Sequence, residues 1–440
     1  MVKKELYYNL GYYSVTEIDD EKPQKRFCFL TKEEANNGNY YKINQMLAFD
    51  DPTDYILDLN SKGYHSKCIK DLSTLFNRLH DSTSNSLIHY YSITENSYDA
   101  ALDIFVRVNS TGHKLSKSDL LFSTLIDGWK DGKENVENIL DIINNKGDKF
   151  NFSRDYLMRL CLVLVDADTN LKIKSLNRKT IQDIKTNWKS IHKALDDMST
   201  LLVDIGVCNE YLTSYNATMP LAYYIYKGGK FKYSKKYVDE NKKCKEEAKK
   251  FLSVALAKRI FGIASNDALN QTRNTLKTID CKKTPFTLSL FDNITLTGNR
   301  KFIVEENDID YWLDNYEKGT NTFFILSLLY PDLKLSQVNF HQDHCHPDVA
   351  FDDKNIKVLN LDEQKKKEWQ KKRNLIPNLQ FLKGAENESK NKTPLKQWVD
   401  EGNDFEYHPP GISLELKNFD EFFKQRRILI KNKLKKIFNI

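Results

Sequence analysis

Val338-Asn339-Phe340-His341-Gln342-Asp343-His344-Cys345-His346-Pro347 is the stretch around which the rest of the chain is organised. A short apolar lead runs into an adjacent Asp-His pair. Its counterpart comes later, as Asn374-Leu375-Ile376-Pro377-Asn378-Leu379-Gln380-Phe381-Leu382 and then Glu386-Asn387-Glu388-Ser389-Lys390. That order suits a hairpin followed by a short helix. Neighbouring side chains on a strand point to opposite faces, so Asp343 and His344 can serve one phosphate only where the strand ends or bends. Pro347, three residues on, is consistent with such an ending.

The residue types suit phosphodiester hydrolysis. That reaction needs a base near neutral pH, for which histidine is the natural candidate. It also needs a cation to offset charge on the phosphate and the leaving oxygen. Mg²⁺ takes oxygen ligands and keeps several waters, so one carboxylate and one amide oxygen can suffice. Asp343 and Asn387 are the candidate oxygen donors and His344 the candidate base. A different chemistry remains open for the same stretch, because His341, His344, Cys345 and His346 are all zinc-ligand types. No Cys-x-x-Cys pair completes such a cluster.

Asp343-His344-Cys345-His346-Pro347, Asn378-Leu379 and Asn387-x-x-Lys390 together resemble the HNH (His-Me finger) nuclease module. More narrowly, they resemble the C-terminal nuclease domain of GmrSD-type restriction endonucleases. The resemblance implies metal binding by Asp343 and Asn387, with Mg²⁺ or Mn²⁺ as cofactor. It makes His344 the general base, has Asn378 brace the loop that carries the motif, and puts Lys390 near phosphate. Cys345 stands where an aliphatic residue is more usual.

A second segment points the same way. Phe105, Arg107, Asn109, Gly112, Leu115, Asp119, Leu120 and Leu121 are similar to a segment in the large N-terminal domain of that family. Arg107 and Asn109 are its candidate nucleotide or DNA contacts. As a plain fold element it reads as helix, glycine turn, helix. The Asp-Gly-Gln-Gln-Arg signature that precedes this segment in the family does not occur here. The chain is therefore expected to be shortened at its N-terminus. Nucleotide control is in doubt, and an upstream polypeptide is the expected carrier of the missing part.

Length and composition set outer limits. A chain of 440 residues suits two or three domains at about 100–200 residues each. Hydrophobic residues make up 40%, which argues for a globular protein rather than a disordered one. The net charge of +6 suits a nucleic-acid partner without requiring one. The seven cysteines are scattered, odd in number and unpaired in spacing, which indicates a reducing, cytoplasmic setting. No apolar run approaches the ~18 residues of a membrane span.

Along the chain, Leu6-Tyr-Tyr-Asn-Leu and Arg26-Phe-Cys-Phe-Leu predict two pairing strands in a sheet too small to found a domain by itself. Cys68, Leu72, Leu75, Phe76 and Leu79 follow helical spacing, and most of 116–330 does likewise. Pro220 suits a first turn and Gly228-Gly229 a helix end. Three lysine-rich segments stand out. One spans 230–250 with interleaved aromatics. A second spans 365–373, where Lys371, Lys372 and Arg373 are candidate phosphate contacts. The third is the C-terminal helix over 416–440, whose apolar side is expected to be Phe419, Phe422, Phe423, Leu429, Ile430 and Leu434.

The expected architecture is mainly α with a small N-terminal β portion, the remnant of an α+β domain, and a C-terminal ββα-metal nuclease domain embedded in helices. The expected parts are 1–130, 131–330 and 331–440. The expected function is a metal-dependent endonuclease acting on double-stranded, and in this family often modified, DNA, alone or as the nuclease part of a split restriction system. The alternative is a catalytically inactive remnant or DNA-binding partner subunit.

Overall fold

The computed structural model describes residues 4–13, 25–80, 122–123, 125–126, 129, 131–169, 178–231, 238–262, 265–331 and 340–440. Arg107 and Asn109 lie outside the described residues, as does most of the 105–122 segment.

The N-terminal aromatic runs form strands. β1 (Glu5–Asn9) is the centre of a three-stranded antiparallel sheet, flanked by β2 (Phe27–Leu30) and β3 (Tyr40–Lys42), with Tyr7 opposite both Cys28 and Lys42. Helices complete the layer: α1 (Lys32–Asn36), α2 (Pro52–Ser61) and α3 (Ser66–His80). Asp51 caps α2 by accepting from Thr53 N at 2.6 Å, and Pro52 opens its first turn, where a missing N–H costs nothing. Along α3, Cys68, Leu72 and Phe76 recur every fourth residue and are buried. The sheet is tied to α3 by Asp71, whose Oδ2 accepts from Tyr8 Oη at 2.7 Å and from Tyr13 Oη at 2.8 Å. The small sheet does not found a unit by itself: α2 and α3 supply the apolar face that three short strands lack, and together they form the unit spanning Met1–Asn96.

The second unit, Ser97–Ile440, is mainly helical. Its first part contains α4 (Gly132–Asn144), α5 (Arg154–Leu164), α6 (Arg178–Asp204), α7 (Met219–Tyr226), α8 (Val238–Ala257), α9 (Ser265–Lys277), α10 (Glu306–Asn315) and α11 (Thr320–Leu329). α5 is apolar on nearly every side and is buried from Tyr156 to Leu164 except at Arg159. α6 turns Ile184, Trp188, Ile191 and Leu195 inward, the stripe expected from its 3.6-residue period. After α7 the chain reverses at Gly228, whose φ of 91° favours glycine. The helical spacing over 116–330 is interrupted before α10, which starts at Glu306. Residues 295–301 form a two-stranded ribbon, β4 (Thr295–Leu296) with β5 (Arg300–Lys301), and a Glu305/Asp308 capping box then opens α10.

β6 (Phe340–His344) and β7 (Leu379–Lys383) form an antiparallel pair. Between them lie a four-residue helix, α12 (Asp353–Ile356), and α13 (Glu363–Lys372). α14 (Gly384–Lys390) follows β7 directly, then α15 (Leu395–Asp400) and the long α16 (Phe419–Phe438). The strand pair shares its core with the helices before it: Phe381 meets Phe323 of α11 at 5.3 Å and Tyr330 at 5.7 Å between ring centroids. By packing the chain divides at 96/97. α16 departs from the expected apolar side in one position. Arg426 is fully buried, whereas Leu429 is half-buried. Among the described residues no helix is long and apolar enough to cross a membrane, and all seven cysteines are free thiols.

Candidate active site at the end of the β6–β7 pair

The strand pair places its polar residues by register. Asp343 is opposite Gln380, and His344 is opposite Leu379. β6 ends at His344, so the alternation rule lapses there and both side chains can serve one region. The pair is fixed from two directions. On one side Gln342 Oε1 accepts from Gly319 N at 3.1 Å, and its Nε2 donates to Gly319 O at 3.0 Å. On the other, Arg426 of α16 donates through Nη1 to Pro377 O at 2.8 Å and to Leu379 O at 2.9 Å. A buried guanidinium that donates to backbone carbonyls is a strong brace even with its Nε unpartnered, because its removal would leave those carbonyls unpaired.

Asn378 has no exposed surface and holds the turn after β6. Its Oδ1 accepts from His346 N at 3.0 Å, and its Nδ2 donates to His346 O at 3.2 Å and to Arg373 O at 2.8 Å. Its own carbonyl accepts from Cys345 N at 2.7 Å. Both chain segments of the site are thus bound through one side-chain amide.

His344 is 8% exposed, and its Nε2 lies 2.9 Å from Asn374 Oδ1. An amide oxygen can only accept, so Nε2 carries the ring proton and the Nδ1 lone pair is left as the basic atom. Burial lowers the His344 pKa below its ordinary value, with the Asn374 hydrogen bond opposing the shift. The imidazole is therefore neutral at pH 7, the form a general base requires.

Asp343 is held by Lys390. Nζ lies 2.8 Å from Asp343 Oδ2 and also donates to His344 O. Gln380 Nε2 donates to the same Oδ2 at 3.2 Å. Lys390, expected near phosphate, has no exposed surface. Asn387 lies three residues before it on α14 and is half-buried. Positions i and i+3 share a helix face, so the face that carries Lys390 to Asp343 also carries Asn387. α14 packs against both strands. Asp343 Oδ1 has no hydrogen-bond partner among the described residues, and Asn387 adds an amide oxygen. That donor set fits a hard cation that keeps most of its waters.

The four zinc-type residues do not converge. His341 is exposed, Cys345 is buried in a second apolar cluster, and His346 sits edge-on to Phe422 at 4.7 Å and Phe419 at 5.5 Å. Among the described residues no group of three or more His, Cys, Asp or Glu side chains is arranged to hold a metal ion. His346 Nε2 is buried without a hydrogen-bond partner, and burial pushes its pKa down to about 3.

The cationic run on α13 is largely occupied within the fold. Lys372 pairs with Glu368, approaches Asp420 Oδ1 at 3.5 Å and lies over the Phe423 ring. Lys365 pairs with Asp420 at 2.9 Å, and Trp369 Nε1 donates to the same carboxylate at 2.9 Å. Arg373 Nε lies 3.0 Å from Asp348 Oδ1 without the alignment of a hydrogen bond. Lys371 alone of the three candidates is exposed. Two C-terminal lysines are likewise committed. Arg427, Lys431 and Lys435 of α16 form ion pairs with Asp314, Asp310 and Glu306 of α10, one turn apart on each helix. Asn374, Gln380, Gln342 and Arg426 are the site residues that sequence reasoning did not single out. Only Asn374 carried a local signal, as the start of the Asn374-x-x-x-Asn378 spacing.

A scan against models of protein families and a search of curated proteins both return no match.

Proposed function

We propose that this chain is a metal-dependent endonuclease of the HNH (His-Me finger) type that hydrolyses the phosphodiester backbone of double-stranded DNA. The observation that carries the reading is the joint placement of Asp343 and His344 at the end of β6, with Asn387 on the helix that follows β7. Nδ1 of neutral His344 takes a proton from water, and the water oxygen attacks phosphorus as the P–O bond to the leaving sugar oxygen breaks, that oxygen taking a proton from solvent. Asn374 holds the ring through Nε2 and fixes its tautomer. Asn378 holds the loop after His344, and Lys390 holds the Asp343 carboxylate through their ion pair. Asp343 and Asn387 would hold a divalent cation, Mg²⁺ or Mn²⁺, which when bound supplies charge neutralisation at the phosphate and the leaving oxygen. Assignment to GmrSD-type restriction endonucleases and action on modified DNA belong to the same proposal.

A second reading draws on one observation. Lys390 lies 2.8 Å from Asp343 Oδ2, where it competes with a cation for the carboxylate. On that reading the module is catalytically silent and serves as a DNA-binding partner subunit.

Supercoiled plasmid with Mg²⁺ or Mn²⁺ separates the two. The parent chain nicks it, and His344→Ala lowers the rate by ~10²–10⁴-fold with the fold intact. Equal rates for parent and variant would remove His344 from the mechanism, and no cleavage by a parent chain that still binds duplex favours the silent module.

A further inference from the structure

The geometry points to a phosphate-backbone groove between α8 and the C-terminal end of α16, which carries the DNA duplex alongside the candidate active site. This inference rests on the nuclease reading for the identity of the polyanion, but on separate residues for the groove itself.

The groove has a volume of about 390 Å³ and is bordered by six lysines against two carboxylates, Asp204 and Glu246. Lys242, Lys245 and Lys249 lie at i, i+3 and i+7 on α8, so they form one stripe. Lys433 and Lys436 lie at i and i+3 on α16 and border the same space. Glu246 lies four residues after Lys242 and three before Lys249 and so offsets part of that stripe, whereas no acid of α16 borders the groove beside Lys433 and Lys436. Some of the charge is met internally: Lys245 pairs with Asp204 at 2.7 Å and Lys250 with Glu247 at 2.8 Å. Lys433 and Lys436 have no carboxylate partner among the described residues, in contrast to their neighbours Lys431 and Lys435. Lys249 is half-buried and its Nζ donates to Ser327 O at 2.6 Å, with Glu246 the carboxylate that acts on it. Burial pushes its pKa down to about 8, the direction a bound anion would reverse.

α11 links this groove to the candidate site. Gly319, just before its first turn, holds Gln342 of β6, and Ser327, near its end, holds Lys249. Eight residues of helix span ~12 Å, which is three to four base pairs of B-form duplex.

Fluorescence anisotropy with a labelled 30-base-pair duplex, Ca²⁺ in place of Mg²⁺ and a salt titration tests this on the full chain. Lys433→Gln/Lys436→Gln is expected to weaken binding at least about tenfold and to reduce the slope of log K against log salt by about 2. Lys433→Gln alone is expected to reduce the slope by about 1, and Lys282→Gln/Lys283→Gln, away from the groove, leaves it unchanged. An unchanged slope in both groove variants overturns the proposal. So does micromolar ATP binding that is lost in Lys433→Gln/Lys436→Gln while duplex binding is retained. Plasmid nicking, measured separately, tells the two readings apart. Nicking with no change in slope removes the groove alone, whereas the expected slopes without nicking remove the nuclease and leave the groove.

Discussion

Lys390 Nζ lies 2.8 Å from Asp343 Oδ2, with Lys390 fully buried and the carboxylate 13% exposed. The pair joins the last residue of α14 to the penultimate residue of β6, so the helix cannot shift without uncovering a charge. Breaking one half of such a pair costs more than the pair contributes, because the remaining ion stays desolvated.

Lys390→Met is accordingly expected to destabilise the second unit by about 3 kcal/mol in urea unfolding. Asp343→Asn/Lys390→Met should recover part of that loss, since neither charge is then left alone. A coupling below about 0.5 kcal/mol in the double-mutant cycle would mean that the two groups act independently.

Asn374 should govern the acid limb of the pH–rate profile. His344 must be neutral to act, so the rate falls as pH drops through its pKa, and burial places that limb below the ordinary histidine range. The Asn374 hydrogen bond raises the His344 pKa. Asn374→Ala therefore moves the limb to lower pH and lowers the plateau rate as the ring loses its orientation. Asn374→Asp stabilises the imidazolium and moves the limb to higher pH. Identical limbs in all three proteins would sever Asn374 from His344.

His346 makes the fold sensitive to acid. Its pKa is pushed down to about 3, while in the unfolded chain it titrates near 6.5. The unfolded state thus binds the extra proton between those values, and stability falls as pH drops below about 6.5, by up to ~1.4 kcal/mol per pH unit from this group. Above that range the contribution is constant. His346→Phe, which keeps a ring against Phe419 and Phe422, should flatten the urea-midpoint curve between pH 6 and 4. A variant curve parallel to that of the parent would assign the acid loss to other groups, His344 among them.

Much of the molecule could be read along the chain because it depends on local regularities. The four-residue recurrence of Cys68, Leu72 and Phe76 names the buried face of α3 whatever it packs against, and Pro220 and Gly228 mark the bounds of α7 through φ preferences alone. The Asp343-His344 pair, Asn378 and Asn387 were also visible in sequence, since their order along the chain is itself the signal. What the sequence could not decide is which charges face inward. Lys390, expected near phosphate, and Arg426, not singled out, are each fully buried. Their partners stand 46 residues away at His344 O and 47 away at Leu379 O. The same holds for Lys431 and Lys435, which are matched to Glu306 and Asp310 only because α10 and α16 pack together, while Lys433 and Lys436 on the same helix are not. Helical period assigns a residue to a face, but the partner that neutralises a charge on that face comes from another part of the chain. Only the packing of α10, α14 and α16 decides which lysines are structural and which remain for a ligand.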